Sequence, residues 1–228
     1  MANIKLSKRL TAELVGTLFF VFLGAGSALA VLAFNIPGYL AIPIIALANG
    51  LGLGLAISAT MGVSGGHLNP AVSIAALVAR KIKARDAAAY ILVQLVGATI
   101  GALLLYGFFP AQIAAATSLG APSVSSLVTM PQAIFIEALL TFFLVFAVFG
   151  TAIDPRAPKI GGLGIGLTVF LDALIGGPLT GAAMNPARAL GPMIASLSFA
   201  NWYVYIIGPI IGAIIAALVY DRLIMGGK

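Results

Sequence analysis

Ser64-Gly65-Gly66-His67-Leu68-Asn69-Pro70-Ala71-Val72 and its counterpart Thr180-Gly181-Ala182-Ala183-Met184-Asn185-Pro186-Ala187-Arg188 are the stretches that decide the fold. Each puts Asn at a helix cap and Pro at the first helical position, where the missing N–H costs nothing, with helix-compatible residues after it. The apolar stretches that begin there, 69 to 79 and 185 to 197, are too short to cross a bilayer, which takes about 20 residues. They predict two half-helices rather than two spans.

Six longer apolar runs surround them, near 10 to 33, 40 to 61, 87 to 109, 132 to 153, 160 to 178 and 202 to 220. The chain has 228 residues, 61% of them hydrophobic and only 8% charged, far below the roughly one quarter of a soluble domain. A soluble fold of this size cannot hide so much apolar surface, so the runs are expected to be transmembrane helices. The first is too long, and too poorly supplied with a cleavage site, for a removable signal peptide. There are no cysteines, which excludes disulfides and thiolate metal sites, and no metal or other cofactor is expected.

The net charge of +6 does not point to nucleic acid, because the basic residues cluster at the ends of the runs. Lys5, Lys8 and Arg9 precede the first span and Arg80, Lys81, Lys83 and Arg85 the third. Arg156 and Lys159 lie between the fourth and fifth, and Arg222 and Lys228 follow the sixth. With six crossings, these eleven of the twelve lysines and arginines fall on one side. By the positive-inside rule both termini are expected in the cytoplasm. Arg188, alone on the other side, needs a separate reason.

The two halves also resemble each other. Leu10-Thr11-Ala12-Glu13 opens a helix with Phe19, Phe20 and Phe22, as Phe135-Ile136-Glu137-Ala138 opens one with Phe142, Phe143 and Phe146. The Asn-Pro-Ala turns come next in each half, and Gly97-Ala98-Thr99-Ile100-Gly101 is matched to Gly208-Pro209-Ile210-Ile211-Gly212. Three spans per half is an odd number, so the repeats, about 9 to 109 and 132 to 223 of a single domain, are inverted. Inverted repeats concentrate functional sites at matched broken helices near the midplane. Irregular backbone at that depth is tolerated only inside protein or along a water-filled cavity, which predicts a lumen. The small residues Gly50, Gly52, Gly54, Gly97, Gly101, Gly161, Gly162, Gly164, Gly166, Gly208 and Gly212 are assigned to helix packing.

On the two quoted stretches the chain resembles the aquaporin and aquaglyceroporin, or major intrinsic protein, family over essentially its whole length. The resemblance implies an all-α integral membrane protein of six transmembrane helices plus two re-entrant half-helices. It also implies a homotetramer in the plasma membrane, with a pore in each subunit, and no enzymatic activity. Asn69, Pro70, Ala71, Asn185, Pro186 and Ala187 would line the pore, with Arg188 in its narrowest region. Glu13 and Glu137 would brace the half-helices, and His67 would hold its loop. Counting back from the motifs as the family pattern suggests, the other selectivity positions are Asn49, Ala173 and Ala182.

Water-selective members place an aromatic at the first of these positions and His at the second, and this chain has neither. Glycerol facilitators have bulky aromatics at the first and third positions, and only Ala173 matches them. Gly177-Pro178-Leu179-Thr180-Gly181 is similar to the glycerol-facilitator loop, but Ala189 and Tyr205-Ile206 depart from it. The mixture most resembles an archaeal aquaporin. Asn49 with two alanines leaves room beside Arg188, so the expected cargo is water together with glycerol-sized neutral solutes, with ions and protons excluded.

Two rivals share some of these features. An ion-coupled secondary transporter also has inverted repeats and broken helices, but the spans offer only Glu13, Glu137 and Asp172 for coupling. Asp172, beside Ala173, has no role assigned by the pattern. Gly62-Val63-Ser64-Gly65 fits the nucleophile pattern of an intramembrane serine protease, yet the sole His67 is three residues away on the same loop rather than on another span.

Overall fold

A computed structural model describes residues 4–158 and 160–226, so Lys159 and Lys228 of the basic set lie outside the described residues. Among the described residues nine α-helices follow one another: α1 (Leu6–Ala33), α2 (Gly38–Ser64), α3 (Pro70–Val78), α4 (Ala84–Leu103), α5 (Ala111–Ala116), α6 (Met130–Val148), α7 (Leu163–Thr180), α8 (Pro186–Ser196) and α9 (Val204–Leu218). Helical turns extend α4 to Gly107, α6 to Ile153 and α9 to Ile224, which gives six helices long and apolar enough to cross a membrane. The short helices α3 and α8 are the two half-helices, each within two residues of its expected bounds. No strand occurs among the described residues.

The burial pattern is that of a protein whose surroundings are oil. Leu55, Leu92, Phe135 and Ile175 are exposed on the outer faces, whereas Glu13, Gln94, Asn69, Glu137, Asn185 and Arg188 are buried within. Small residues make the close helix contacts. Gly50 and Gly54 of α2 lie against the backbone at Gly166 of α7 and at Gly162, its N-cap, while Gly52 is in ordinary contact with Leu23. Removing side chains at such crossings lets backbones approach, as membrane helices require.

One register of the internal repeat differs from the sequence match. Gly97 of α4 packs on the Leu14 carbonyl of α1, and Gly212, not Gly208, packs on the Ala138 carbonyl of α6. Tyr90 and Tyr205 confirm the offset, since their hydroxyls donate to the carbonyls of Ser64 and Thr180, at 2.8 and 2.9 Å. Gly97 is therefore the counterpart of Gly212, one helical turn from the pairing suggested by the two glycine-spaced strings. Glycines four apart recur on one helix face, so a one-turn shift preserves the pattern in the sequence.

The connection 110 to 131 holds α5, which the hydropathy runs did not resolve, and a turn at Ser118–Gly120 that re-enters the core with Leu119 fully buried. On the side that carries both termini, a cavity of about 1020 Å³ opens among the ends of α3, α6 and α9. It contains the ion pairs Lys81–Asp221 (3.0 Å) and Arg156–Asp154 (2.6 Å). The Arg156 side chain, and after it the Arg156 backbone N–H, hold the Asp154 carboxyl down to about 2.

A Cβ at position 212 would overlap the Ala138 carbonyl. Gly212→Val is expected to lower stability by about 1 to 3 kcal/mol or to prevent assembly, as overpacking does elsewhere. Thermal unfolding of the purified protein in detergent checks this, and an unchanged midpoint would contradict the α6–α9 contact.

Candidate functional site

The helices α2 and α7 both end on glycine in the left-handed region, Gly65 at φ 94° and Gly181 at φ 81°. Past these caps the chain doubles back through residues with positive φ, Leu68 at 49° in one loop and Ala182 and Met184 at 45° and 51° in the other. Such a backbone leaves N–H groups with no helical partner at a depth where water cannot serve them.

Two buried carboxylates supply acceptors. Glu13 on α1 accepts from Ser64 Oγ (2.6 Å), His67 N (2.9 Å), Leu68 N (2.7 Å) and Gln94 Nε2 (2.8 Å). Glu137 on α6 accepts from Thr180 Oγ1 (2.7 Å), Ala183 N (3.0 Å) and Met184 N (2.8 Å). Both acids are fully buried and committed to the loops, which is a bracing geometry.

The half-helices begin where the loops end. Asn69 Oδ1 accepts from Ala71 N (2.8 Å), and Asn185 Oδ1 from Ala187 N (2.9 Å) and Arg188 N (3.2 Å). Each amide also reaches across to the other loop: Asn69 Nδ2 donates to the Met184 carbonyl (3.0 Å) and Asn185 Nδ2 to the Leu68 carbonyl (2.9 Å). The halves are thus locked together through their own caps. One N–H of each amide is used in this way, and one remains.

Arg188, only 6% exposed, lies in the first turn of α8. Its Nε donates to Asn49 Oδ1 (3.1 Å) and its Nη1 to the Gly120 carbonyl (2.9 Å). Asn49 of α2 in turn donates through Nδ2 to the carbonyls of Ile45 (2.8 Å) and Gly24 (3.3 Å). Both amide hydrogens and the oxygen of Asn49 are therefore engaged by protein, so it holds the arginine rather than offering a free amide. A Cβ on Gly24 would overlap Asn49 Oδ1, and Gly120, at φ 74°, has no space for one against Ala25.

The other positions named from the sequence are less closely tied. Ala173 is on the buried face of α7, and Ala182 follows the Gly181 cap with 8% exposure. His67 is half-buried, with Nδ1 3.1 Å from Ser73 Oγ. Asp172 is buried on α7, and its Oδ2 has no hydrogen-bond partner among the described residues. Gly24, Gly120, Gln94, Ser73, Tyr90 and Tyr205 were not singled out as site residues by sequence. The signals available were that Gln94 is an amide within an apolar run and that Tyr205 departs from the glycerol-facilitator pattern.

Two polar-capped half-helices meeting inside a six-helix bundle, with a buried arginine beside the junction, define a channel of the aquaporin class. The comparisons agree with that geometry. The model of the family described as Major intrinsic protein matches residues 1–220, and the chain belongs to this family. It is 41% identical to "Probable aquaporin TIP3-2" of Arabidopsis thaliana, over 94% of this chain and 82% of that one. It is 40% identical to "Aquaporin-2" of Homo sapiens, over 97% and 80%. The solved aquaglyceroporin from Plasmodium falciparum matches with a TM-score of 0.86 at 25% identity, covering 97% of this chain and 98% of that one. The chain is accordingly a multi-pass membrane channel and not an enzyme.

Glu137→Gln is expected to cost about 1 to 3 kcal/mol, because its NH₂ would face a backbone N–H and leave a buried donor unpaired. Thermal unfolding with a parallel permeability assay checks this, and wild-type values in both would overturn the bracing role.

Proposed function

We propose that this protein is a passive channel for water and for glycerol-sized neutral solutes, which turns back ions and protons. The observation that carries the proposal is the reciprocal bonding of Asn69 and Asn185 to the opposite loop carbonyls, which leaves one N–H donor on each. Both side-chain oxygens are occupied by the helix caps. With the oxygens turned to the half-helices, the amides present donors to the junction. A passing water or hydroxyl is held by its oxygen, its hydrogens point away on either side, and the proton-hopping chain is interrupted there.

Two half-helix N-termini at one point add their positive dipole ends, which disfavours cations. Aquaporin-type pores are themselves the standard illustration of such a barrier. Arg188 adds a fixed charge. Of its five N–H donors, those bonded to Asn49 and Gly120 are taken, and the others remain for solute oxygens.

Selectivity is assigned to Asn49, Ala173, Ala182 and Arg188. No aromatic stands at the first three positions, which leaves width for a polyol. His67 holds the first loop, and Pro70, Ala71, Pro186 and Ala187 start the half-helices. The 228 residues form one domain, and the exposed apolar flanks of the helices suit assembly into a homotetramer with one pore per chain. The basic residues on the terminal side favour cytoplasmic termini, and the membrane proposed for the channel is the plasma membrane.

Stopped-flow light scattering on proteoliposomes given water, glycerol or urea gradients tests the proposal. Faster equilibration than in empty vesicles is expected for water and glycerol, and no acceleration with any solute would overturn it. Ala173→His should slow glycerol about tenfold while slowing water much less, since pore diameter sets the discrimination. Asn49→Leu frees Arg188 Nε, and is expected to reduce the ratio of water to glycerol flux without abolishing either. An unchanged ratio would count against the Asn49 anchor.

A further inference from the structure

The first Asn-Pro-Ala loop carries a polar chain that the second lacks. Gln94 of α4 and Ser73 of α3 are both fully buried. Gln94 Nε2 donates to Glu13 Oε2 (2.8 Å) and to Ser73 Oγ (3.1 Å), and Ser73 Oγ lies 3.1 Å from His67 Nδ1. By the register given by Tyr90 and Tyr205, the matching positions of the second half are Pro209, Ala189 and Ala183, which cannot build such a chain.

The direction of this relay follows from donor and acceptor counting. Glu13 Oε2 already accepts from Leu68 N, so the Gln94 group facing it must be a donor. Turning the amide over would set two acceptor oxygens together. With both Nε2 hydrogens spent, Ser73 Oγ accepts from Gln94 and directs its own hydrogen at His67 Nδ1. Were Nδ1 protonated instead, the enclosed serine hydroxyl would accept twice and its hydrogen would have no acceptor, a loss of the kind buried groups avoid. His67 Nδ1 is then an acceptor, and the proton of the neutral ring is on Nε2. That nitrogen has no protein partner among the described residues and is not enclosed, whereas the one enclosed unpaired atom of the relay is an acceptor, Gln94 Oε1, which faces neither Glu13 nor Ser73. The edge-on contact with Tyr90, centroids 5.2 Å apart, fixes the ring plane.

We propose that Gln94 and Ser73 are positioning residues that hold His67 as the Nε2–H tautomer, making its ring a hydrogen-bond donor to solute on the terminal side of the asparagine pair. The role in transport rests on the channel proposed above, whereas the tautomer does not. The two halves of the pathway are then chemically unequal. A ring N–H serves solute oxygens on the terminal side, and Ala183 offers only a methyl group on the other.

The chain has a single histidine, so its ring nitrogens can be read without ambiguity. Protein labelled with ¹⁵N,¹³C-histidine, reconstituted in bilayers at neutral pH, is studied by magic-angle-spinning NMR, with each nitrogen assigned through its attached carbons. The expected result is a protonated Nε2 and an unprotonated, hydrogen-bonded Nδ1. Ser73→Ala should lower the ratio of Nε2–H to Nδ1–H about fivefold, the loss of one ordinary hydrogen bond, and Ser73→Thr should restore it. A wild-type ring protonated on Nδ1, or on both nitrogens, overturns the relay with no need of any variant to fold. The same vesicles are assayed for water flux. Flux with the wrong tautomer sinks this inference and leaves the channel standing, whereas the right tautomer without flux sinks the role in transport.

Discussion

An unsatisfied backbone N–H cannot be tolerated in the interior of a bilayer, and the structure is arranged around two loops that would otherwise break that rule. The chain turns back on itself at Gly65 and Gly181, deep in the bundle, and exposes donors that no helix can pair. Glu13 and Glu137 meet them. A neutral amide could not do the same, because its NH₂ would oppose one of the backbone donors. These two buried acids are thus the condition for having broken helices at all. The same commitment removes them from any ion-coupling role, since a carboxylate holding three or four donors in place is not available to bind and release a coupling ion.

With the loops fixed, the asparagines can act as caps and as cross-links together. Each closes its own half-helix through Oδ1 and ties itself to the facing loop through Nδ2. Side chains committed in this way cannot rotate to offer their oxygens to the pathway. In the proposed channel, exclusion of protons comes from a geometry held by covalently distant partners, Leu68 and Met184, and not from the two motifs taken singly. The inverted repeat supplies the symmetry of this junction, while the flanks depart from it where Gln94, Ser73 and His67 face Pro209, Ala189 and Ala183 across the pseudo-two-fold relation.

The parts of this arrangement that were legible in sequence are those with a short-range signature. Asn before Pro marks a half-helix start, and runs of about 20 apolar residues mark spans, so all six spans and both half-helices lie within a few residues of their expected places. The paired acids could be aligned because each opens an apolar run. The register of α4 against α9 could not be, because glycines spaced by four look the same after a shift of one turn. Only the contacts of Gly97 with Leu14 and Gly212 with Ala138 separate the two pairings. Gly120 was hidden for a different reason, since it acts through its carbonyl, and a carbonyl leaves no trace in residue identity.

The same distinction applies to solute choice. Position counting brings Asn49, Ala173, Ala182 and Arg188 together as side chains, and so reads Asn49 as a wall of the opening. The structure makes it a tether: its amide is spent on Ile45 and Gly24, and its oxygen on the arginine. The guanidinium is consequently held from α2 on one edge and from the Ser118–Gly120 turn on another, and Gly24 keeps the space in which Asn49 can reach it. An aromatic at position 49 would add bulk and also cut that tether. The aim of the charge is therefore set by Asn49, and on the proposed reading so is the width beside it. Selection, on that reading, rests on α1, α2 and the outer turn as much as on Ala173 and Ala182.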